Sequence, residues 1–478
     1  MIRNQTSPGV LLAHSLFLRH DAKQLQRMRP YSPLATLLAA AALRQRGSAV
    51  HLFDATFATG IDDFCRVLDE IQPGIVAIVE DNFNFVTKMC TAQMRQDALA
   101  MVSAARQRGC HIVVNGSDAT DQAARYLAAG ADAVIIGEVE STLCELVSAW
   151  GAGGKASLED IAGLALRDAG GGVIRTARRR YFDDLDHLPL PAWDLLDHDA
   201  YGAAWRAAHG RLSWNVVTSR GCPYGCNWCA KPLWGRRYAQ RSPELVAAEL
   251  ASLAQNVAPD HVWFADDIFG LTAAWIEEFA AQVRARGTRL PFMMQSRVNL
   301  MKPRVVAALA DAGAEEVWLG VESGSQTVLD AMDKGSTLAQ VETATRALKQ
   351  HNIRCCWFVM LGYPGETWPE ILSTRDLIRG LAPDDIGVSV AYPLPGTVFH
   401  ERVRAGLGAQ RNWRETDDLA MLFPGTYETE FYRNVRDLLH GEVSGVPRAS
   451  LDAQWSELER GELHARRAQL VPLPAAGG

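Results

Sequence analysis

A chain of 478 residues, 48% of them hydrophobic, has room for two or three domains with buried cores. Its 48 basic and 55 acidic side chains leave a net charge of -7 without a basic block, which argues against nucleic acid as a partner. The 9 cysteines fit a reducing compartment better than a disulfide scaffold, the N-terminus lacks a signal-peptide layout, and the longest apolar stretch, Pro33 to Leu43, is too short to span a bilayer, so a cytoplasmic protein without a membrane span is expected.

Residues 1 to about 150 alternate apolar runs with helix-period segments. The runs Val10 to Ala13, Val50 to Asp54, Ile75 to Val79, His111 to Asn115 and Ala133 to Ile136 read as strands. Helices are expected from about Ser32 to Arg46, Gln93 to Arg108 and Asp121 to Ala129. Such repeats argue for an α/β domain with a doubly wound parallel sheet, whose ligands bind at the carboxyl ends of the strands. Those ends carry Glu80-Asp81-Asn82, Asn115-Gly116-Ser117-Asp118 and Gly137-Glu138-Val139-Glu140, which are also what ordinary turns and helix caps look like. No G-x-G-x-x-G is present, so a dinucleotide is not favoured.

From 151 to 211 the chain reads as a connector: a glycine-rich break at Gly151 to Lys155, a β-hairpin around Asp168-Ala169-Gly170-Gly171-Gly172, and a linker from Asp183 to Trp193. Next comes VVTSRGCPYGCNWC, Val216 to Cys229, with Cys222, Cys226 and Cys229 spaced C-x-x-x-C-x-x-C. Gly221, Pro223 and Gly225 supply the turns by which a loop curls around a guest. A three-thiol loop can hold an iron-sulfur cluster and leave one iron open. The alternative is structural zinc with a distant fourth ligand, His209, His261, Cys355 or Cys356.

Counting from Leu212, six strand-helix units run to about residue 400, which suits a partial (β/α)6 barrel with its chemistry at the carboxyl ends of the strands. Polar residues stand there: Asp266 and Asp267, Gln295 and Arg297, Glu322 and Ser323. They serve either a ligand or inter-strand ion pairs. The remainder, 401 to 478, reads as a helical region whose aromatics, Trp413, Phe423, Tyr427, Phe431, Tyr432 and Trp455, either cap the barrel mouth or pack on its helices.

The cysteine loop, with Trp228 before its last cysteine, resembles the signature of the radical S-adenosylmethionine (radical SAM) superfamily. The resemblance implies that Cys222, Cys226 and Cys229 bind a [4Fe-4S] cluster whose open iron takes the methionine part of S-adenosylmethionine. Trp228, Asp267, Gln295, Arg297, Glu322, Ser323, Pro364 and Gly365 are the S-adenosylmethionine contacts it implies, the last two within Tyr363-Pro364-Gly365-Glu366. Ahead of such a barrel, the first domain resembles the cobalamin-binding domain of the cobalamin-dependent branch, matching at Pro33-Leu34, Val113 to Ser117 and Gly137 to Glu140. That likeness implies cobalamin contacts at Asp81, Asn82, Gly116, Ser117, Gly137 and Glu138. The string D-x-H-x-x-G is missing, and His14 and His20 lie outside any such motif, so cobalt without a histidine ligand is expected.

The resemblance as a whole implies a methyltransferase acting at an unactivated carbon of a small molecule, a natural-product or lipid-type intermediate, with an electron donor such as flavodoxin or ferredoxin. Oxidative cyclisation or another radical rearrangement is the rival chemistry, and a cobalamin or cluster sensor the rival without catalysis.

Overall fold

The computed structural model describes residues 9–84, 91–151, 157–229, 235–408 and 419–464. Trp413, the last residues of the glycine-rich break and the C-terminal tail lie outside these.

The first sheet begins with β1 (Val10–Ala13), β2 (Val50–Phe53), β3 (Ile75–Val79), β4 (His111–Asn115) and β5 (Ala133–Ile135), all paired in parallel. Every residue of β1, β3 and β5 is buried, as a parallel sheet covered by helices on both faces requires. The predicted hairpin of the connector is β6 (Leu164–Arg167) and β7 (Val173–Arg175), and it joins β5 antiparallel. The strand order is therefore β2-β1-β3-β4-β5-β6-β7, and the connector's hairpin extends the first domain's sheet. In this order the direction of winding reverses between β1 and β3, the place where open α/β sheets bind ligands.

The second sheet contains β8 (Ser213–Val216), then β11 (His261–Phe264), β12 (Phe292–Ser296), β13 (Ala314–Glu322), β14 (Arg354–Leu361) and β15 (Asp385–Val390), neighbours in sequence order and all parallel. Helices follow each strand and bury Val262, Phe264, Val317, Leu319, Trp357 and Val359 in one core. This is the expected six-unit partial barrel. Between β8 and β11, the short strands β9 (Ser219–Arg220) and β10 (Ala239–Gln240) pair antiparallel.

The first domain also packs against the barrel along β8 and β11. Ser32 and Asn215 exchange hydrogen bonds of 2.6, 2.9 and 2.8 Å, and the Tyr31 ring lies 4.4 Å from that of Trp263 on β11. The helix Leu34–Gln45, nearly all Ala and Leu, is buried from Leu34 to Leu43 because it is shared: Leu37 belongs to the barrel core, its neighbours to that of the first sheet. In the C-terminal region the aromatics divide. Phe431, Tyr432 and Trp455 pack on the barrel helices, whereas Phe423 joins Tyr363 and Phe399 in a small apolar cluster against Trp228.

Candidate active site

The loop with three cysteines leaves the sheet at Ser219–Arg220 and returns at Ala239–Gln240, so the two-stranded ribbon ties its ends together. Gly221 takes φ 81°, a left-handed turn that favours glycine. Cys222 and Cys226 are buried and Cys229 is half-buried. Between the last two, Asn227 fixes the loop to two other segments. Its Nδ2 donates to Ala331 O and to Asp333 Oδ2, both at 2.8 Å, its backbone N–H donates to Met332 O, and its Oδ1 stands 2.9 Å from the hydroxyl of Tyr363. Arg297, from the end of β12, is placed against the same loop: Nη1 is 3.2 Å from Cys226 Sγ, and the guanidinium lies 3.9 Å from the centroid of Tyr224.

Among the described residues no three His, Cys, Asp or Glu side chains are gathered at the spacing of a single metal ion. Three of the four candidates for a fourth zinc ligand are engaged elsewhere. His261 bonds Ser213, His209 bonds the carbonyls of Arg27 and Met28, and Cys355 reaches Thr345. A single ion draws its ligands to within about 2.3 Å of one centre, whereas a cluster spreads them over separate irons. An all-thiol loop with an arginine beside one sulfur therefore fits a cluster better than zinc.

Around this loop stand the other strand ends. Glu322 closes β13 at a register shift with φ 68°, and its Oε1 is 2.7 Å from Lys334 Nζ, both side chains buried. Gly320 makes room for this pair, since a Cβ there would come within 2.6 Å of Lys334 Nζ. Gln295 Nε2 donates to the carbonyl of Asp266 at 2.7 Å, and Asp267 is half-buried just beyond β11. Ser323 is turned into local structure, accepting from Ser325 N at 3.1 Å. Pro364 and Gly365 form the tight turn after β14, with Gly365 at φ 89° and Glu366 Oε2 accepting from Gly362 N at 2.6 Å.

Several buried polar atoms here lack a partner among the described residues: Trp228 Nε1, Asp266 Oδ2, Ser296 Oγ, Ser336 Oγ and Glu366 Oε1. An orphaned buried group costs about 1–3 kcal/mol, so Trp228 Nε1, inside the cysteine loop, is a group that a polar ligand there would satisfy. Burial pushes the carboxyl of Asp266 up to about 7, against the hydrogen bonds of Ser219 and Thr218, and that of Glu366 up to about 8. Near pH 7 Glu366 is therefore held mostly protonated, while Asp266 stands at the midpoint of its titration.

The first domain presents a second set. At the β1 and β3 ends, Ser15 Oγ, Glu80 Oε1 and Asn82 Oδ1 are buried without partners among the described residues, at the switch point of the sheet. Burial raises the Glu80 carboxyl, partly opposed by Ser15 and His14. Asp81 Oδ1 accepts from Phe83 N at 3.2 Å. Asn115 Nδ2 donates to the carbonyls of Ile135 and Gly137, both at 3.1 Å. Gly116 has φ 156°, and a Cβ on it would meet the Glu80 side chain at 3.0 Å; Ser117 follows it as the first residue of a short helix. His14 is not free to ligate a metal: Nε2–H donates to Asp54 Oδ1 at 2.9 Å, and Nδ1 accepts from Leu16 N at 3.3 Å.

Glu138 has a role the sequence did not suggest. Its Oε1 is 2.8 Å from Arg220 Nη1, Glu140 binds the same guanidinium, and Glu138 Oε2 accepts from Phe182 N at 2.6 Å. Arg220 stands two residues before Cys222, so the β5 loop of the first sheet is tied directly to the cysteine loop.

Residues 216–378 match the model of the radical SAM superfamily. The chain carries a radical SAM domain. An uncharacterized methyltransferase of Pyrococcus horikoshii is 29% identical over 368 residues, covering 76% of this chain and 75% of the relative. The anaerobic magnesium-protoporphyrin IX monomethyl ester cyclase of Cereibacter sphaeroides is 26% identical over 375 residues, but these make up only 59% of its length. In fold, the chain is similar to the radical S-adenosylmethionine methyltransferase TsrM from Kitasatospora setae, solved with cobalamin and a [4Fe-4S] cluster bound. The TM-score is 0.69 at 21% identity over 84% of this chain and 75% of that one. The likeness spans both the first sheet and the barrel, and the sensor reading of the sequence gives way to that of a radical SAM enzyme.

Proposed function

We propose that this radical SAM enzyme is a cobalamin-dependent methyltransferase that alkylates an unactivated carbon of a small molecule. The bridge of Arg220 to Glu138 and Glu140 carries the reading, because it brings the strand-end loops of both sheets, each with its orphaned polar atoms, to one place. When bound, the cluster with S-adenosylmethionine supplies a 5′-deoxyadenosyl radical, and cobalamin supplies the methyl group. The chain's part is to hold and orient. Cys222, Cys226 and Cys229 ligate the cluster, and Arg297 offsets its negative charge at Cys226. Lys334 and Glu322 offer a cation and an anion for the amino-acid end of S-adenosylmethionine, near Trp228 and the Pro364-Gly365 turn. Ser15, Glu80 and Asn82 offer polar groups at the first sheet's switch point for cobalamin, with Asp81, Gly116, Ser117 and Gly137 around it. With both ring nitrogens engaged, His14 would not serve as a cobalt ligand. Electrons come from an external one-electron donor such as a flavodoxin or ferredoxin, in the cytoplasm.

Incubation of the reconstituted protein with methyl-labelled S-adenosylmethionine tests the reading: label in the product is expected. Formation of 5′-deoxyadenosine with no label transferred would replace it with oxidative cyclisation, the activity that the name of the Cereibacter relative carries.

A further inference from the structure

We propose that the inner face of the partial barrel between β12 and β15 binds the substrate, and that this substrate presents a flat, apolar ring which stacks on Phe358. The inference rests on the catalytic reading above and adds the class of molecule. Successive residues of a strand point to opposite faces. On β13 and β14, Val317, Leu319, Val321, Cys355, Trp357, Val359 and Leu361 face the helices and are buried among them. The alternate residues therefore line the inside of the curve.

Along the β8–β11 edge that inner face is covered by the first domain, through Tyr31 on Trp263 and through Ala265, which lies in the first domain's core. Across β12 to β15, among the described residues, it is more open. Met293, Gln295, Trp318, Gly387 and Ser389 are half-buried there, and Phe358 is 36% exposed among the described residues. The inside of a curved sheet is normally filled by its own side chains. Here it holds a large aromatic with an open face.

The height of this face is also informative. Phe358 pairs in register with Gly320, over which the Lys334–Glu322 ion pair leans, and Trp318 lies two residues earlier on the same strand, about 7 Å away. A molecule on Phe358 thus lies directly beside the pair assigned to S-adenosylmethionine. Below it, Glu316 closes the floor: Oε2 is 2.9 Å from Arg354 Nη1, and Oε1 accepts from Trp318 Nε1 at 2.7 Å.

The ring class follows from the aromatic geometry. Trp318 and Phe358 are stacked, centroids 4.9 Å apart and planes 28° apart, and the indole is held by its hydrogen bond. Gly387 lies flat beneath them, since a Cβ there would stand 3.3 Å from both rings. A rigid two-ring stack with one free face costs a third ring little to join, and favours a planar partner over a puckered one beyond area burial alone.

The test uses the full-length, anaerobically reconstituted protein with indole as the planar probe and cyclohexanemethanol as the puckered one, read by saturation-transfer NMR. Indole should bind the unaltered protein more tightly than cyclohexanemethanol. Phe358→Leu, which keeps most of the apolar volume but not the flat face, should weaken indole about three- to tenfold, and Gly387→Val should weaken it by displacing the stack. Equal binding of both probes, or indole binding unchanged in a folded Phe358→Leu protein, overturns the proposal. Formation of 5′-deoxyadenosine by the unaltered protein is scored separately: its absence overturns the catalytic reading, whereas the probe results decide the ring site.

Discussion

Arg220 of the cysteine-loop stem and Glu138 of the first sheet meet at 2.8 Å across the boundary between two domains, with both side chains buried. Glu140 completes the group on the other side of the guanidinium. Taking Arg220 away leaves two carboxylates facing each other without a cation. Arg220→Met should therefore destabilise the protein by about 3–5 kcal/mol, and the loss should shrink as the pH falls and the carboxyls take up protons. The triple variant with Glu138→Gln and Glu140→Gln should recover most of it. Thermal unfolding of the three proteins at pH 6 and 8 checks this, and a single variant as stable as the unaltered chain would refute the bridge.

The cysteine loop gives the most direct result. Cys226→Ala should yield a soluble protein that lacks bound cluster iron and releases no 5′-deoxyadenosine on reduction. Iron analysis and chromatography of the reaction mixture report both, and undiminished cleavage would rule out the radical mechanism.

Arg297 makes a subtler prediction. Its cation lies beside Cys226, so its loss leaves the bound cluster's charge less compensated. Arg297→Met should lower the reduction potential of the cluster, because a reduced, more negative cluster is then harder to form, while Arg297→Lys should retain part of the effect. A redox titration followed by electron paramagnetic resonance measures it, and an unchanged potential in the Met variant would dismiss the arginine's electrostatic role.

Glu366 supplies a pH test. Its carboxyl is held up at about 8 by burial, against an ordinary value of 4.5, so between these values the folded protein holds a proton that the unfolded chain has released. Stability from this group is thus present at low pH and falls as the pH rises toward 8, by at most about 1.4 kcal/mol per pH unit. Glu366→Gln should remove this slope: relative to the unaltered protein, the variant should gain in melting temperature from pH 6 to pH 8.5. A constant difference would mean that the side chain is ionised throughout.

Much of this was legible in the chain. The central strands of the first sheet follow apolar runs, and the cysteine spacing announces its ligand chemistry because thiol loops are short-range objects. What escaped were side chains whose partners are remote in sequence. Lys334 lies in an ordinary helix-to-turn segment and takes its meaning from Glu322 across a bulge. Asn227 reads as filler between two cysteines until its bonds to residues around 331–333 and to Tyr363 are known. Glu138, read as a cofactor contact, is bound to a residue 82 positions away. The zinc alternative also needed coordinates, because only they show His209, His261 and Cys355 engaged elsewhere.

Tyr31 and Ser32, seated against Trp263 and Asn215, have one more consequence. Along its β8–β11 edge the barrel takes part of its inner wall from a segment some 180 residues earlier in the chain. A barrel excised at residue 212 would expose Trp263 and Asn215 to water, and grafting it onto a foreign N-terminal module would require that module to bring a stopper of the same shape. The barrel as it stands therefore depends on the first domain for that wall.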